Sequence, residues 1–140
     1  MKLRTALELL QGLMELDGYL DGADKRVPYK FNGATRMAIA RMRRQLRALQ
    51  EDYSEARNAA LVEITNGSGE LKSLNGPFES REERDHTRAA IFEFARRDRE
   101  LLNAPVDLDL ASITVAQLAL DDNPIPPSVL DVLGPILQEE

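Results

Sequence analysis

The sequence predicts a mainly α-helical fold built on a long helical hairpin, with a short N-terminal helix, a small β-hairpin or extended arm, and short C-terminal helices. Apolar residues recur at helical spacing in three separate stretches. The core must be built chiefly from Leu, Ile, Val, Ala and Met, because the chain has no tryptophan and no cysteine. A chain of 140 residues is the size of one domain, so we expect residues 1–140 to form a single helical domain.

The first helix is expected to begin at a capping box formed by Thr5 and Glu8 and to stop at Gly18. Residues 18–31 then form a connecting loop. Within it Val27–Phe31 is expected to be extended, because a proline disfavours the helical conformation of the residue before it. The apolar face of this helix comprises Leu7, Leu10, Leu13 and Met14.

The central helix is predicted over about residues 34–64, a stretch without proline or glycine, with Asn32 as its cap. At 1.5 Å rise per residue it is about 45 to 50 Å long. Its apolar residues are spaced alternately three and four apart, which is a coiled-coil-like heptad seam held for about three repeats. The seam consists of Ile39, Met42, Leu46, Leu49, Tyr53, Ala56 and Ala60.

Residues 65–79 are predicted to connect the two long helices as a turn or small hairpin, with Glu70–Lys72 and Phe78 as candidate strand residues. Ser80 and Glu83 form a second candidate capping box at the start of the third helix. That helix is expected to end at Asn103, before a proline. Its apolar side carries Ile91, Phe94, Ala95, Leu101 and Leu102, and Asp98 interrupts it.

Residues 104–140 are predicted to form an acidic C-terminal arm. In Val106–Leu110 apolar residues alternate with aspartates, which indicates an extended segment with one buried face. Two short helical pieces follow Thr114, separated by proline-rich breaks. The apolar side chains of these pieces, including Leu130 and Leu133, either complete the core, which we favour, or dock in a partner's groove.

Charge is segregated along the chain, although the net charge is only −6. The favoured interpretation is that the two blocks neutralise each other where the hairpin brings them together. One alternative is a nucleic-acid surface on Arg36, Arg43 and Arg47, and another is exchange of the acidic arm between subunits. The basic block is Lys25, Arg26, Lys30, Arg36, Arg41, Arg43, Arg44 and Arg47, and the acidic block is Glu100, Asp107, Asp109, Asp121, Asp122, Asp131, Glu139 and Glu140.

No motif indicates catalysis, so we expect a protein that is not an enzyme and carries no cofactor. His86 is the only histidine, which excludes a His-based triad and a multi-histidine metal site. Asp107 with Asp109, or Asp121–Asn123, could hold a hard cation, yet neither matches a calcium-binding loop, and solvated or paired acids are the favoured interpretation. No Gly-rich phosphate-binding loop lies between a strand and a helix.

A secretory signal and a membrane span are not expected. Glu8 and Glu15 interrupt the N-terminal apolar stretch, and no small-residue cleavage pattern follows it. No apolar run approaches the ~20 residues that span a bilayer. We therefore expect a soluble protein that is not secreted and has no membrane partner.

Several segments occur in a characteristic order: a short leading helix, the extended Val27–Phe31, a long charged helix with Tyr53, the Asn-Gly turn of Leu74–Phe78, and Arg99–Asn103 running into Val106–Leu110. In this order the chain resembles a loosely defined group of small helical proteins of unassigned function encoded by tailed bacteriophages. The resemblance covers nearly the whole chain and implies a viral origin. It further implies a place in the host cytoplasm or the virion.

The first functional expectation is a non-enzymatic virion structural or assembly protein that contacts copies of itself or a larger virion protein. The second is an accessory inhibitor of a host defence or metabolic protein, with the acidic arm mimicking phosphate. The third is a weak nucleic-acid-binding protein. The candidate partner-binding residues are Arg36, Arg41, Arg43, Arg44, Arg47, Asp107, Asp109, Leu130 and Leu133.

Overall fold

Two long helices form the frame of the protein, in a computed structural model that describes residues 1–139. The helices of residues 33–64 and 81–103 pack as a hairpin, and a shorter helix of residues 3–14 lies against both of them. This arrangement confirms the predicted mainly α-helical fold with a long helical hairpin. The helices are α1 (Leu3–Met14), α2 (Gly33–Ile64), α3 (Arg81–Asn103), α4 (Val115–Leu118) and α5 (Pro127–Val132), and the strands are β1 (Tyr19–Leu20), β2 (Arg26–Val27), β3 (Ile113–Thr114) and β4 (Leu137–Gln138).

The caps of the two long helices follow the sequence signals. The Asn32 side chain accepts a hydrogen bond of 2.8 Å from the Thr35 amide, which confirms Asn32 as the cap of α2. Ser80 likewise accepts from the Glu83 amide at 3.1 Å. The Glu83 carboxylate, however, accepts from the Glu79 amide, so the return contact of the box is displaced by one residue.

The expected capping box at Thr5 and Glu8 is wrong, because α1 begins at Leu3 and Thr5 lies inside the helix. A contact that is distant in sequence causes this earlier start. The Leu3 amide donates to the Ala104 carbonyl at 2.9 Å, and the Val106 amide donates to the Met1 carbonyl at 2.9 Å. The backbone after α3 thereby supplies a hydrogen-bond partner that no local side chain provides.

The small β-hairpin is present, but it lies in the first connecting loop and not in the second. Strands β1 and β2 pair antiparallel around a turn in which the Asp21 carboxylate accepts from the Ala23 and Lys25 amides at 2.8 and 2.9 Å. No strand forms at the candidate positions Glu70–Lys72 and Phe78, a segment that the structure describes throughout. There, the Thr65 hydroxyl donates to the Leu61 carbonyl and accepts from the Gly69 amide. These two bonds keep the chain close to the end of α2.

The buried core lies at one end of the hairpin. It is formed by α1, the first half of α2 and the C-terminal segment, and the seam of α2 becomes partly exposed from Leu49 onward. Within residues 1–139, Thr87 is the only buried residue of α3. The fully buried side chains include Leu9, Leu10, Leu13, Met42, Leu46, Ile113, Leu118 and Leu133.

The C-terminal segment completes this core, as we favoured. Six of its apolar residues are buried, and β4 pairs parallel with β3. In Val106–Leu110 the apolar side chains pack against the core and the two aspartates are exposed, so the predicted alternation is confirmed. In the described residues 1–139, no helix has both the length and the apolar character needed to cross a membrane. The six buried residues are Ile113, Leu118, Ile125, Val129, Leu133 and Ile136.

Candidate interaction surface

Two of the five candidate arginines of α2 stabilise the fold. The Arg43 guanidinium donates from Nε and Nη2 to the Leu13 carbonyl, at 3.2 and 2.9 Å, and it forms an ion pair with Asp17. Arg36 donates to the carbonyls of Phe31 and Tyr29 at 3.1 and 3.2 Å. These contacts satisfy the carbonyl at the end of α1 and the backbone of the loop before α2. Arg36 and Arg43 therefore hold neighbouring segments in place.

The other three arginines face solvent. Arg41, Arg44 and Arg47 are exposed, and within residues 1–139 their side chains form no ion pair and no hydrogen bond. At 100° per residue, Arg44 lies about 160° around α2 from the buried Met42 and Leu46, and Arg41 lies about 100° and 140° from them, so both point away from the buried face. Their charges are available to a partner.

The acidic segment approaches α2 with its backbone and not with its carboxylates. The Gln45 side chain donates to the Asp109 carbonyl at 3.3 Å. Asp107 and Asp109 are exposed, because the alternation that packs the half-buried Leu108 and Leu110 against the core directs the aspartate side chains outward. The acidic segment thus runs beside the basic helix without contacting its guanidinium groups.

The expectation that the two charged blocks neutralise each other is therefore wrong at the level of ion pairs. Within residues 1–139, no ion pair joins the basic block to the acidic block. Arg43 pairs with Asp17, which belongs to neither block, and Glu100 pairs with Arg96 on its own helix. Both blocks leave most of their charge exposed to solvent.

A regular row of exposed side chains runs along the outer face of α2, and we call it the outer stripe. Its members recur every three or four residues and so share one helical face. Met37 near its start is 68% exposed and Val62 at its end is 47% exposed, which is high for large apolar side chains. The outer stripe consists of Ala34, Met37, Arg41, Arg44, Ala48, Asp52, Glu55, Ala59 and Val62.

Sequence reasoning found only Arg41 and Arg44 of this stripe. The acidic Asp52 and Glu55 follow the basic block directly, and the regular spacing was visible in the sequence. The apolar signal of α2 lies in the seam on another face of the same helix. In the structure most of the seam packs against the rest of the protein while every position of the outer stripe is exposed, and this difference identifies the stripe as a separate surface.

The two candidate leucines are placed in the core and not on the surface. Leu133 is 1% exposed, and the half-buried Leu130 packs against the buried cluster. Leu133 cannot reach a partner without unfolding of the C-terminal segment. Neither residue belongs to the candidate surface.

The groups that could hold a cation have other roles or lie apart. In Asp121–Asn123 the Asn123 side chain is buried and bonded to the backbone of Lys30 and Leu118, so it cannot turn toward an ion. Among residues 1–139, no three side chains of His, Cys, Asp or Glu converge as a metal site.

The groove at the tip of the hairpin contains the only histidine of the chain. Its volume is about 460 Å³, and it is lined partly by Lys72, Glu83 and His86. Lys72 and Glu83 form an ion pair there, whose hydrogen bond raises the Lys72 pKa and lowers the Glu83 pKa. The lysine and the glutamate are thus engaged with each other.

Comparison of the chain with protein-family models, with curated proteins and with solved structures gave no match.

Proposed function

We propose that this protein is a non-enzymatic bacteriophage virion structural or assembly protein that acts through helical protein–protein contacts. The observation that supports it is the outer stripe, which extends for about 42 Å along α2 at 1.5 Å per residue. Its basic and acidic side chains have no partner within residues 1–139. A long exposed face with ordered charges and apolar ends is suited to another helix. The phage assignment rests on the resemblance described above.

The shape of the hairpin supports the same proposal. Beyond Leu46, α2 and α3 cover each other only partly, and Phe92 on α3 is 69% exposed. The far half of the hairpin therefore offers helical surface on several sides. Such a projection can contact copies of the chain or a larger virion protein.

Mass in solution tests this function. Light scattering after size exclusion, from micromolar to hundreds of micromolar protein, should reveal a defined oligomer whose population rises with concentration. Circular dichroism of the same samples checks that the helices are folded. A folded monomer at every concentration would contradict self-assembly and favour an inhibitor.

The exposed, unpaired Asp107 and Asp109 favour one alternative, an accessory inhibitor that presents acids to a basic groove of a host protein. If so, expression in a susceptible bacterial host should arrest growth. The double variant Asp107→Asn, Asp109→Asn should relieve the arrest at equal protein level. Equal toxicity of the two proteins would remove this alternative.

The exposed Arg41, Arg44 and Arg47 favour a second alternative, weak binding of nucleic acid. The overall charge of −6 opposes it. Titration with DNA and RNA at low salt should show binding that weakens steeply as salt is added. No binding at low salt would remove this alternative.

A further inference from the structure

We propose that two copies of this chain pair through their outer stripes, with the α2 helices antiparallel and a two-fold axis passing beside Ala48. This inference rests on the proposed assembly function and names the partner as a second copy. Such a contact is isologous, so the same surface serves on both subunits.

The spacing of the outer stripe is symmetric about Ala48. Counting outward from this residue, the stripe recurs after four, three, four and three residues in both directions along α2. A two-fold axis at Ala48 therefore places each stripe residue opposite another stripe residue. The opposed positions are 34 with 62, 37 with 59, 41 with 55, and 44 with 52.

The charges obey the same symmetry. Arg41 lies opposite Glu55 of the partner subunit, and Arg44 lies opposite Asp52 of the partner subunit. Each contact occurs twice, so four pairs of opposite charge are expected. A parallel arrangement in the same register would instead set Arg41 against Arg41 of the partner subunit, and like charges there are unfavourable. Charge thus selects the antiparallel orientation.

The uncharged positions fit close packing of two helices. Ala48 at the centre is small, which allows the two backbones to approach. Met37 lies opposite Ala59 of the partner subunit, so a long side chain meets a short one. Ala34 and Val62 repeat this pattern at the ends. Pairing would cover Met37 and Val62, which are exposed in the single chain.

The rest of the chain leaves this face open. The end of α1 reaches α2 through Arg43, and the acidic segment reaches it through Gln45. At 100° per residue Gln45 lies beside the outer stripe, about 60° from Ala48, and Arg43 lies about 140° from Ala48, so neither position belongs to the stripe. All nine stripe residues are exposed.

A cysteine at the axis provides a direct test, because the chain has no cysteine of its own. In the Ala48→Cys variant the two introduced thiols should face each other, and mild oxidation should give a covalent dimer in high yield. The matched control is Ala89→Cys, at an exposed position of α3, and it should cross-link only at background level.

Charge exchange tests the register. The double variant Arg41→Glu, Arg44→Glu should weaken the dimer by roughly a hundredfold or more, because four attractive pairs become repulsive. Adding Asp52→Arg and Glu55→Arg in the same chain should restore it. The control Arg81→Glu, Arg84→Glu changes the net charge equally at exposed positions of α3 and should leave the dimer intact.

The outcomes separate the two proposals. If the native chain is oligomeric but Ala48→Cys cross-links no better than Ala89→Cys, the antiparallel contact is overturned and the assembly role stands. If the double variant Arg41→Glu, Arg44→Glu has the same oligomer mass as the native chain, the antiparallel contact is likewise overturned and the assembly role stands. A native chain that is monomeric throughout overturns the antiparallel contact and self-assembly, and an assembly role would then require a larger virion protein as the partner. An oligomer with preferential cross-linking at position 48 and rescue by charge exchange supports both.

Discussion

The Tyr53 hydroxyl donates a hydrogen bond of 2.5 Å to the Asp98 carboxylate across the helical hairpin. Asp98 is the residue that interrupts the apolar side of α3, and this bond explains how the pair of helices accommodates it. The Arg57 guanidinium lies 3.6 Å from the same carboxylate and also covers the Phe94 ring, 4.9 Å from its centroid. Together these side chains form polar contacts that join α2 to α3 where the apolar seam contributes few buried residues.

Replacing Tyr53 by Phe should lower the free energy of unfolding by about 1 kcal/mol, because Asp98 loses a hydrogen-bond donor in a partly buried place. Burial, followed by the bond to Asp98, raises the Tyr53 pKa above 10.0. The raised pKa stabilises the fold fully below about pH 10, and the stabilisation is lost as the pH rises through the folded pKa. Urea unfolding at neutral and alkaline pH measures both effects.

Tyr19→Phe is the matched control for Tyr53→Phe, because Tyr19 contacts the Tyr29 ring and shows no side-chain hydrogen bond in residues 1–139. Its effect should stay within about 0.5 kcal/mol. An alkaline loss of stability that is equally steep in Tyr53→Phe and in the parent chain would contradict the role of Tyr53.

Acid should weaken the fold partly through Glu93. Hydrogen bonds from Arg96 and then Arg97 lower the Glu93 pKa from 4.5 to about 2. A lowered pKa stabilises the folded state above pH 4.5, and this contribution is lost as the pH falls through about 2. The melting temperature, followed by circular dichroism, should therefore fall less in Glu93→Gln than in the parent chain across this range.

Glu51→Gln is the control for Glu93→Gln, since the Glu51 carboxylate forms no ion pair in the described chain. It should retain the acid sensitivity of the parent protein. Curves of melting temperature against pH that run parallel for Glu93→Gln and the parent would disprove the contribution of Glu93.

The buried amide of Asn123 joins three backbone groups. It accepts from the Lys30 amide at 2.7 Å and donates to the carbonyls of Lys30 and Leu118 at 3.0 and 2.8 Å. Asn123→Ala should cost about 2 to 3 kcal/mol, because these groups lose their partner inside the protein. Asn123→Asp should also destabilise, since a carboxylate cannot donate to the two carbonyls.

Denaturant unfolding of the Asn123 variants should be compared with Asp122→Ala, at an exposed neighbouring position. That control is expected to change stability by no more than about 0.5 kcal/mol. Loss of the same small amount in Asn123→Ala and Asp122→Ala would show that the amide is not a structural link.

Gly18 is needed because the chain passes close to itself after α1. A Cβ atom at this position would lie 2.6 Å from the Val27 carbonyl oxygen, which is a backbone atom and cannot turn away. Gly18→Ala should therefore destabilise by about 1 to 3 kcal/mol in urea unfolding. Gly22→Ala, with open space around the added Cβ, is the control. Equal stability of the two variants would mean that β2 shifts without cost.

The long helices were predictable because their signals are local. Asn32 and Ser80 cap helices through residues three positions away, and α2 ends where Asn66 and Gly67 adopt positive φ angles of 55° and 99°. The same reasoning failed at Thr5, where backbone pairing with Ala104 moves the helix start. Such a contact has no signature within the first residues of the chain.

The candidate surface was only half predictable. The sequence placed Arg41 and Arg43 in one basic block, but it could not show that Arg43 reaches a carbonyl of α1 while Arg41 faces solvent. The sequence also predicted that the acidic segment lies beside α2. It could not predict the direction of the Asp109 side chain, which depends on packing of the half-buried Leu110 against the core. Tertiary packing decides which charges remain available.

The placement of the core at one end of the hairpin predicts uneven exchange of amide hydrogens. The tip around residues 55–90 is held by two helices with half-buried contacts, so it can separate briefly while the core remains packed. Its amides should exchange through these local openings. The amides of α1 and of the first half of α2 should exchange only through global unfolding. The tip of the hairpin can therefore change its position against a binding partner while the core stays folded.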